Sequence, residues 1–427
     1  MSEHVFVGFG FGPIQAGLFA KEAFESGNFR RIVIAEIDQK LVDAVRANRG
    51  TYYVNVARKD RVETVRIDGV ELFNPTRDKE LRAVLAQATE ITTCLPSVNF
   101  YASEKPDCVA ALIAEGLCAR QSDATIVYAA ENNNHAAEIL EDVVGKKLNT
   151  PLPPKVQFLN TVIGKMSQVV TDPAEIAQRG LTPIAPGIDR AFLVEEFNRI
   201  LVSKTTIPAF TPGIRVFIEK DDLLPFEEAK LYGHNAIHAM LGFIGTLKGY
   251  AKMIELAGDK RLMQVAREAF IKESGGALIR KYASLGDDLF TESGYRLYAD
   301  DLLERMTNAH LADTTTRAAR DVVRKLGVND RIFGTMALAL EHGIEPRNMA
   351  MGAMAGVALL LANATEYSLP AGCALHTNSS SAKLPPDADA LAQLLAWLWK
   401  TPITPALQRI VDCTWSARGP LGKVLVP

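Results

Sequence analysis

The chain has 427 residues, 48% hydrophobic and 23% charged, with a formal net charge of -3 at pH 7. That length supports two cores, and the near-neutral balance argues against a partner read through bulk charge, whether nucleic acid or an anionic membrane. Scattered cysteines (Cys94, Cys108, Cys118, Cys373, Cys413) without C-x-x-C spacing read as reduced thiols in a cytoplasmic protein, and neither a signal peptide nor a membrane span is expected.

Residues 4–23, HVFVGFGFGPIQAGLFAKEA, read as a strand, a glycine turn and a helix. Gly8, Gly10 and Gly12 permit a tight turn and a close backbone approach to a pyrophosphate, which would sit where Pro13, Ile14 and Gln15 open the helix. The strict G-x-G-x-x-G spacing is not met, although Gly17 lies just beyond. The next strand, RIVIAEID, ends in Glu36, where an acid can bind an adenosine ribose diol and repel a 2'-phosphate. NAD rather than NADP is therefore the expected cofactor, provided that Glu36 and not Asp38 faces the ribose.

Residues 51–75 alternate between apolar and polar, and Asp68-Gly69 reads as a hairpin turn, so an antiparallel excursion from a parallel sheet is expected. Strands resume at 90–97, 124–135 and 156–166. Strand ends in open α/β sheets border the ligand, which makes Ser97, Glu131 and Asn132 candidates to line the cofactor site. The proline-punctuated stretch 171–190 places a domain boundary near 190. The expected fold is α/β, with a Rossmann-type parallel sheet in a dinucleotide-binding domain (1–190) followed by a mostly α-helical substrate and catalytic domain (191–427). Amphipathic patterns at 225–257, 260–283, 297–325 and 329–363 read as its helices, 376–389 as a polar loop and 390–400 as a terminal packing helix.

Within the second domain, KLYGHNAIH at 230–238 gathers an amine, an amide and two imidazoles behind an acidic helix start at Pro225. On an α-helix turning about 100° per residue, Asn235 lies about 140° and His238 about 80° round from Lys230, with His234 on the same arc. HNAIH is one residue from the zinc motif H-E-x-x-H. Asn235 holds the place of the general-base glutamate, and an amide cannot take a proton from metal-bound water. A non-hydrolytic or structural zinc pair is the lower-ranked alternative because no obvious third ligand follows, and no metal is expected. Gly242, Gly245 and Gly249 further along imply close packing against other backbone.

These stretches resemble the polyol-specific long-chain dehydrogenases, the family of mannitol 2-dehydrogenase, mannitol-1-phosphate 5-dehydrogenase and the hexuronate reductases. The similarity is carried by GFGPIQAG at 10–17, AEID and RGTY within 35–52, AEN at 130–132, KLYGHNAIH, and RAARDVVRKLGVNDR at 317–331. Lys230, Asn235 and His238 match the family's K-x4-N-x2-H. The resemblance implies metal-independent hydride transfer between NAD(H) and a polyol or sugar phosphate. Lys230 would be the base, and Asn235 and His238 would hold the substrate oxygen. His234, Arg324, Lys325 and Arg331 would border the substrate, where cations hold a phosphate or carboxylate. Gly164-Lys165 stands where the family often has Asp-Arg, which bears on the substrate. Mannitol 1-phosphate with fructose 6-phosphate, or mannitol with fructose, are the leading pairs. A hexuronate reductase, a 6-phosphogluconate-type oxidative decarboxylase and a non-catalytic dinucleotide sensor are the alternatives, and the oligomeric state is left open.

Overall fold

The apolar runs at the start of the chain pair as strands in the computed structural model, which describes residues 4–364 and 384–426. β1 (His4–Phe9), β2 (Phe29–Ala35), β5 (Val70–Phe73), β6 (Glu90–Thr93), β7 (Thr125–Ala129) and β8 (Val156–Ile163) lie in the spatial order β5-β2-β1-β6-β7-β8, and all neighbours among them run parallel. Numbered by their appearance in the parallel sheet, this is the 3-2-1-4-5-6 order of doubly wound dinucleotide folds. Both faces of such a sheet are covered, so its strands are near-continuous apolar runs instead of alternating ones. Val5, Phe6 and Val7 of β1 are accordingly all fully buried. β11 (Ile200–Ser203) extends the sheet antiparallel to β8, and β12 (Phe217–Lys220) closes it.

The antiparallel pair β3 (Tyr52–Ala57) and β4 (Val62–Ile67) belongs to a second, mixed sheet in the order β4-β3-β10-β9, in which β10 (Ala191–Glu195) runs parallel to β3 and antiparallel to β9 (Ser167–Val170). Its hairpin turn is at Arg58–Arg61, where the Arg58 amide donates to the Arg61 carbonyl at 2.8 Å. Asp68-Gly69 is instead the corner at which the chain leaves β4 and passes into β5 of the large sheet. Gly17 belongs to this packing. An added Cβ would lie 2.6 Å from Val194 Cγ1, so the glycine lets the second sheet seat on the helix, and the Tyr52 hydroxyl donates to the Ala16 carbonyl there at 2.8 Å.

The boundary expected near 190 falls elsewhere. The first compact unit runs to Leu224 and the second from Pro225, because β10, β11 and β12 are committed to the two sheets of the first. The second unit is helical. The pattern read as one element over 297–325 divides into helices Glu292–Met306, Thr315–Ala319 and Val322–Lys325, and that over 329–363 into Phe333–Glu341 and Arg347–Ala362. The terminal helix is Ala388–Trp399, where the Trp399 indole donates to the Leu326 carbonyl at 2.9 Å, and two unforeseen helices follow it, Pro405–Ser416 and Arg418–Leu425. Residues 376–383 of the expected polar loop lie outside the described residues. Among the described residues no helix is long and apolar enough to cross a membrane.

Candidate functional site

In the first unit, a cavity of about 730 Å³ opens at the carboxyl ends of β1, β2, β6 and β7. Of the residues expected to hold a cofactor, Gly10, Gly12, Pro13, Ile14, Gln15, Glu36, Glu131 and Asn132 line it. Gly8 and Ser97 stand outside its lining. Gly8 is inside β1, where an added Cβ would lie 2.2 Å from Gln15 Nε2, so its bareness makes room for that side chain. Ser97 caps the short turn Val98–Phe100 by accepting from the Asn99 amide at 3.2 Å.

Gly10 turns the chain at φ +82°, a backbone conformation that costs a side chain strain, and its amide donates to the Ala35 carbonyl at 2.9 Å. Glu36 then clasps the turn. One carboxylate oxygen accepts from the Phe11 amide and the other from the Asp38 amide, each at 2.8 Å. Asp38 is engaged elsewhere, with Arg190 at 2.5 Å and as the cap of the next helix, so Glu36 is the acid that lines the cavity. Glu131 is 5% exposed and ties the neighbouring strand ends together, accepting from Thr93 Oγ1 at 2.9 Å, from the Leu95 amide at 2.8 Å and from the Tyr101 hydroxyl. Burial raises its pKa, and those bonds oppose the rise.

Gln15 is fully buried and its Oε1 accepts from Thr92 Oγ1, while its Nε2 has no hydrogen-bond partner among the described residues. Buried donors are nearly always satisfied, so this amide is a place for an acceptor brought by a ligand or water. The helix opening at Pro13, the open space at the Gly12 Cβ position, the orphaned amide and the acid at Glu36 together fit a dinucleotide. Sequence reasoning missed the apolar rim, where Ile37 is 74% and Phe100 60% exposed. Ile37, isolated between two acids at a strand end, was the available signal.

The second unit carries the lysine motif on a helix that is not α-helical throughout. After an α-helical turn at Leu224–Glu228, residues Ala229–Asn235 are π-helical, and the α-helix resumes as Ala236–Leu247. In a π segment the hydrogen bonds run from i to i+5, so residues five apart stack as residues four apart do on an α-helix. Lys230 and Asn235 are five apart. The angle expected from α-helical geometry therefore gives way to one shared face, and the π turn supplies a reason for the K-x4-N spacing.

Burial, and next the cation of Arg331, lower the pKa of Lys230 from 10.5 to about 8, with Glu227 opposing. His234 is 6% exposed, and its imidazolium is disfavoured first by burial and then by Arg305, His238, Lys230 and Arg331. These five groups lie within electrostatic reach of one another, and Arg305 and Arg331 are the fixed cations among them. Arg331 is steadied by Asp330 at 2.7 Å. Lys325 is 6% exposed, and its ammonium donates to the Ala318 carbonyl at 2.6 Å, bracing two short helices. Arg324 is largely exposed and pairs with Asp321 and Asp330 at the surface. Of the predicted cations, then, Arg331 joins Lys230 and His234, whereas Lys325 braces backbone and Arg324 faces solvent.

His238 bonds through Nε2 to Asp313 Oδ2 at 2.8 Å. The glycines of its helix explain the approach. His238, Gly242 and Gly245 share one face, and an added Cβ would lie 2.6 Å from Ala318 Cβ at Gly242 and 2.9 Å from Thr315 Cγ2 at Gly245. The bare stripe lets Thr315–Ala319 close onto the helix, with Asp313 just ahead of it. Gly249 does different work, ending the helix at φ +80°. Asp313, Arg305 and Arg317 were missed in the sequence. An acid just before a threonine cap, with an arginine four residues on, was the signal in DTTTR.

A doubly wound sheet with a dinucleotide-sized site is followed in the chain by one helix that carries a half-buried lysine, amide and imidazole, a set of groups suited to alcohol dehydrogenation. Residues 222–368 match the mannitol dehydrogenase C-terminal domain. The mannitol-1-phosphate 5-dehydrogenase of Buchnera aphidicola subsp. Acyrthosiphon pisum (strain APS) is 28% identical over 350 residues, covering 81% of this chain and 83% of that one. Among solved structures, a substrate-free D-sorbitol dehydrogenase superposes with a TM-score of 0.74 at 16% identity, covering 100% of this chain and 96% of the other. The Pseudomonas fluorescens mannitol 2-dehydrogenase, solved as a ternary complex with NAD and D-mannitol, gives 0.67 at 17% identity, covering 99% and 94%. The chain is thus similar to the polyol-specific long-chain dehydrogenases in its C-terminal domain, in its relatives and in its fold.

Proposed function

We propose that the chain oxidises a secondary alcohol of a polyol or polyol phosphate with NAD and reduces the matching ketose in reverse. The observation that carries this reading is the π turn at Ala229–Asn235, which brings Lys230 and Asn235 onto one helix face, where burial lowers the lysine pKa. NAD, when bound, accepts the hydride that leaves the alcohol carbon. Lys230 Nζ, as the neutral amine, takes the hydroxyl proton and returns it during ketose reduction as the ammonium. The Asn235 amide donates a hydrogen bond to the same oxygen and stabilises its alkoxide character, and His238 bonds the substrate through its remaining ring nitrogen.

Gly10, Gly12, Gln15 and Glu36 would hold the dinucleotide, with Glu36 selecting against a 2'-phosphate. Arg331 and Arg305, beside Lys230 and His234, favour a substrate carrying negative charge. This supports the mannitol 1-phosphate and fructose 6-phosphate pair ahead of mannitol and fructose, with a hexuronate next. The test is a panel of polyols, their phosphates and hexonates against NAD and NADP. Turnover of a polyol phosphate with NAD is expected. Turnover with NADP alone overturns the role of Glu36, and no turnover of any polyol, polyol phosphate or hexonate overturns the proposed reaction.

A further inference from the structure

Asp313 has a 1% exposed side chain and every bond it makes fixes its orientation. Its carbonyl accepts from the Met253 amide at 2.9 Å, which pins the loop. Oδ1 accepts from its neighbour, the Thr314 amide, at 2.8 Å and from Arg317 Nε at 2.6 Å, leaving Oδ2 for His238 Nε2. His238 keeps its side chain 20% exposed, and its Nδ1 has no hydrogen-bond partner among the described residues. Burial alone would raise the carboxyl pKa, but the bonds from His238 and Arg317 hold it well below the ordinary carboxylate range, so Asp313 stays an acceptor.

Resting on the reading above, we propose that Asp313 is a positioning residue that holds the His238 proton on Nε2, so that Nδ1 meets the substrate as a hydrogen-bond acceptor. A neutral imidazole has one donor and one acceptor nitrogen, and a carboxylate on one side decides which is which. The reacting hydroxyl already gives its proton to Lys230. The hydrogen that Nδ1 accepts therefore comes from a second substrate hydroxyl, a group that polyols have and simple secondary alcohols lack. This makes the Asp313–His238 pair a device for choosing polyols, built on the glycine stripe that brings the two elements together.

The direct test is the tautomer. Ring-15N-labelled protein, studied above about pH 8.5 where a free imidazole is neutral, gives two-bond nitrogen–proton correlations, with the His238 signals assigned by their loss in His238→Gln. A protonated Nε2 and a bare Nδ1 are expected. A protonated Nδ1 overturns the proposal, and this measurement needs neither activity nor a variant of Asp313. In Asp313→Asn the amide can donate to Nε2, so the tautomer should switch. Polyol kcat/KM should then fall roughly 10- to 100-fold while the KM for NAD holds, in line with the loss of other residues that orient a histidine. An unchanged polyol kcat/KM in that variant overturns the positioning role. Absence of wild-type turnover would sink the dehydrogenase reading, while the tautomer measurement would still decide the placement of His238.

Discussion

Replacing Arg331 with glutamine should move the pH at which Lys230 becomes a base. At pH 7 an amine with a pKa of about 8 is neutral about 9% of the time, and one at the ordinary 10.5 about 0.03%. The environment therefore supplies roughly 300-fold more base at neutral pH. Burial is the larger cause and Arg331 the next, so the variant's Lys230 should titrate above about 8 and short of 10.5, with about a tenfold loss of neutral amine at pH 7 for each whole pH step it climbs. The assay is kcat/KM for alcohol oxidation across pH. The wild type should rise to a plateau above about pH 8, Arg331→Gln should rise later, and Arg331→Lys, which keeps the charge, should follow the wild type. Ketose reduction needs the ammonium and should fall over the range where oxidation rises. The height of the plateau reports any loss of substrate binding separately from the position of the limb. A limb at the same pH in wild type and Arg331→Gln, or one that survives in Lys230→Ala, refutes the reasoning.

The depressed Lys230 also sets a stability window. Between about pH 8 and 10.5 the unfolded lysine binds a proton that the folded one does not, so stability rises with pH across that range by about 3 kcal/mol and the deficit is full below it. Lys230→Met should accordingly be more stable than wild type at pH 7 by chemical denaturation, with the gain fading as the pH approaches 10.5. A gain independent of pH would point to packing alone. Gly242→Ala places a methyl 2.6 Å from Ala318 Cβ and should cost about 1–3 kcal/mol while lowering activity, since Asp313 moves with that element. Wild-type melting and turnover in this variant would remove the glycine stripe from the account. Glu36→Ser leaves the Phe11 and Asp38 amides without their acceptor, so the KM for NAD should rise at least about tenfold and stability should fall by about 1–3 kcal/mol. An NAD-to-NADP switch without loss of stability would show that Glu36 does not clasp the turn.

The first unit was legible because its signals are local. A glycine turn between apolar runs, and an acid closing the next strand, have few other physical explanations, and Gly10, Gly12 and Glu36 stand where that pattern put them. Gly17 was not legible, since its role depends on Val194, which reaches it through the second sheet. The boundary was misplaced for the same reason. Short strands at 191–220 look isolated in the sequence and become part of the first unit only through β3 and β8, earlier in the chain. In the second unit the types and order of Lys230, Asn235 and His238 could be read, but periodicity assumes one helical geometry, and a single π turn changes which residues stack. Asp313 lies 75 residues from His238, a pairing that needs the fold to be seen.

The most direct measurement is formation of reduced nicotinamide from NAD and a polyol or polyol phosphate by wild type and by Lys230→Ala at saturating substrate, with and without an added small primary amine. Removing a general base should slow turnover about 10²- to 10⁴-fold, and the amine should restore part of it in proportion to its neutral fraction. Turnover by Lys230→Ala at the wild-type rate, with no response to amine, would contradict the assignment of proton transfer to this nitrogen.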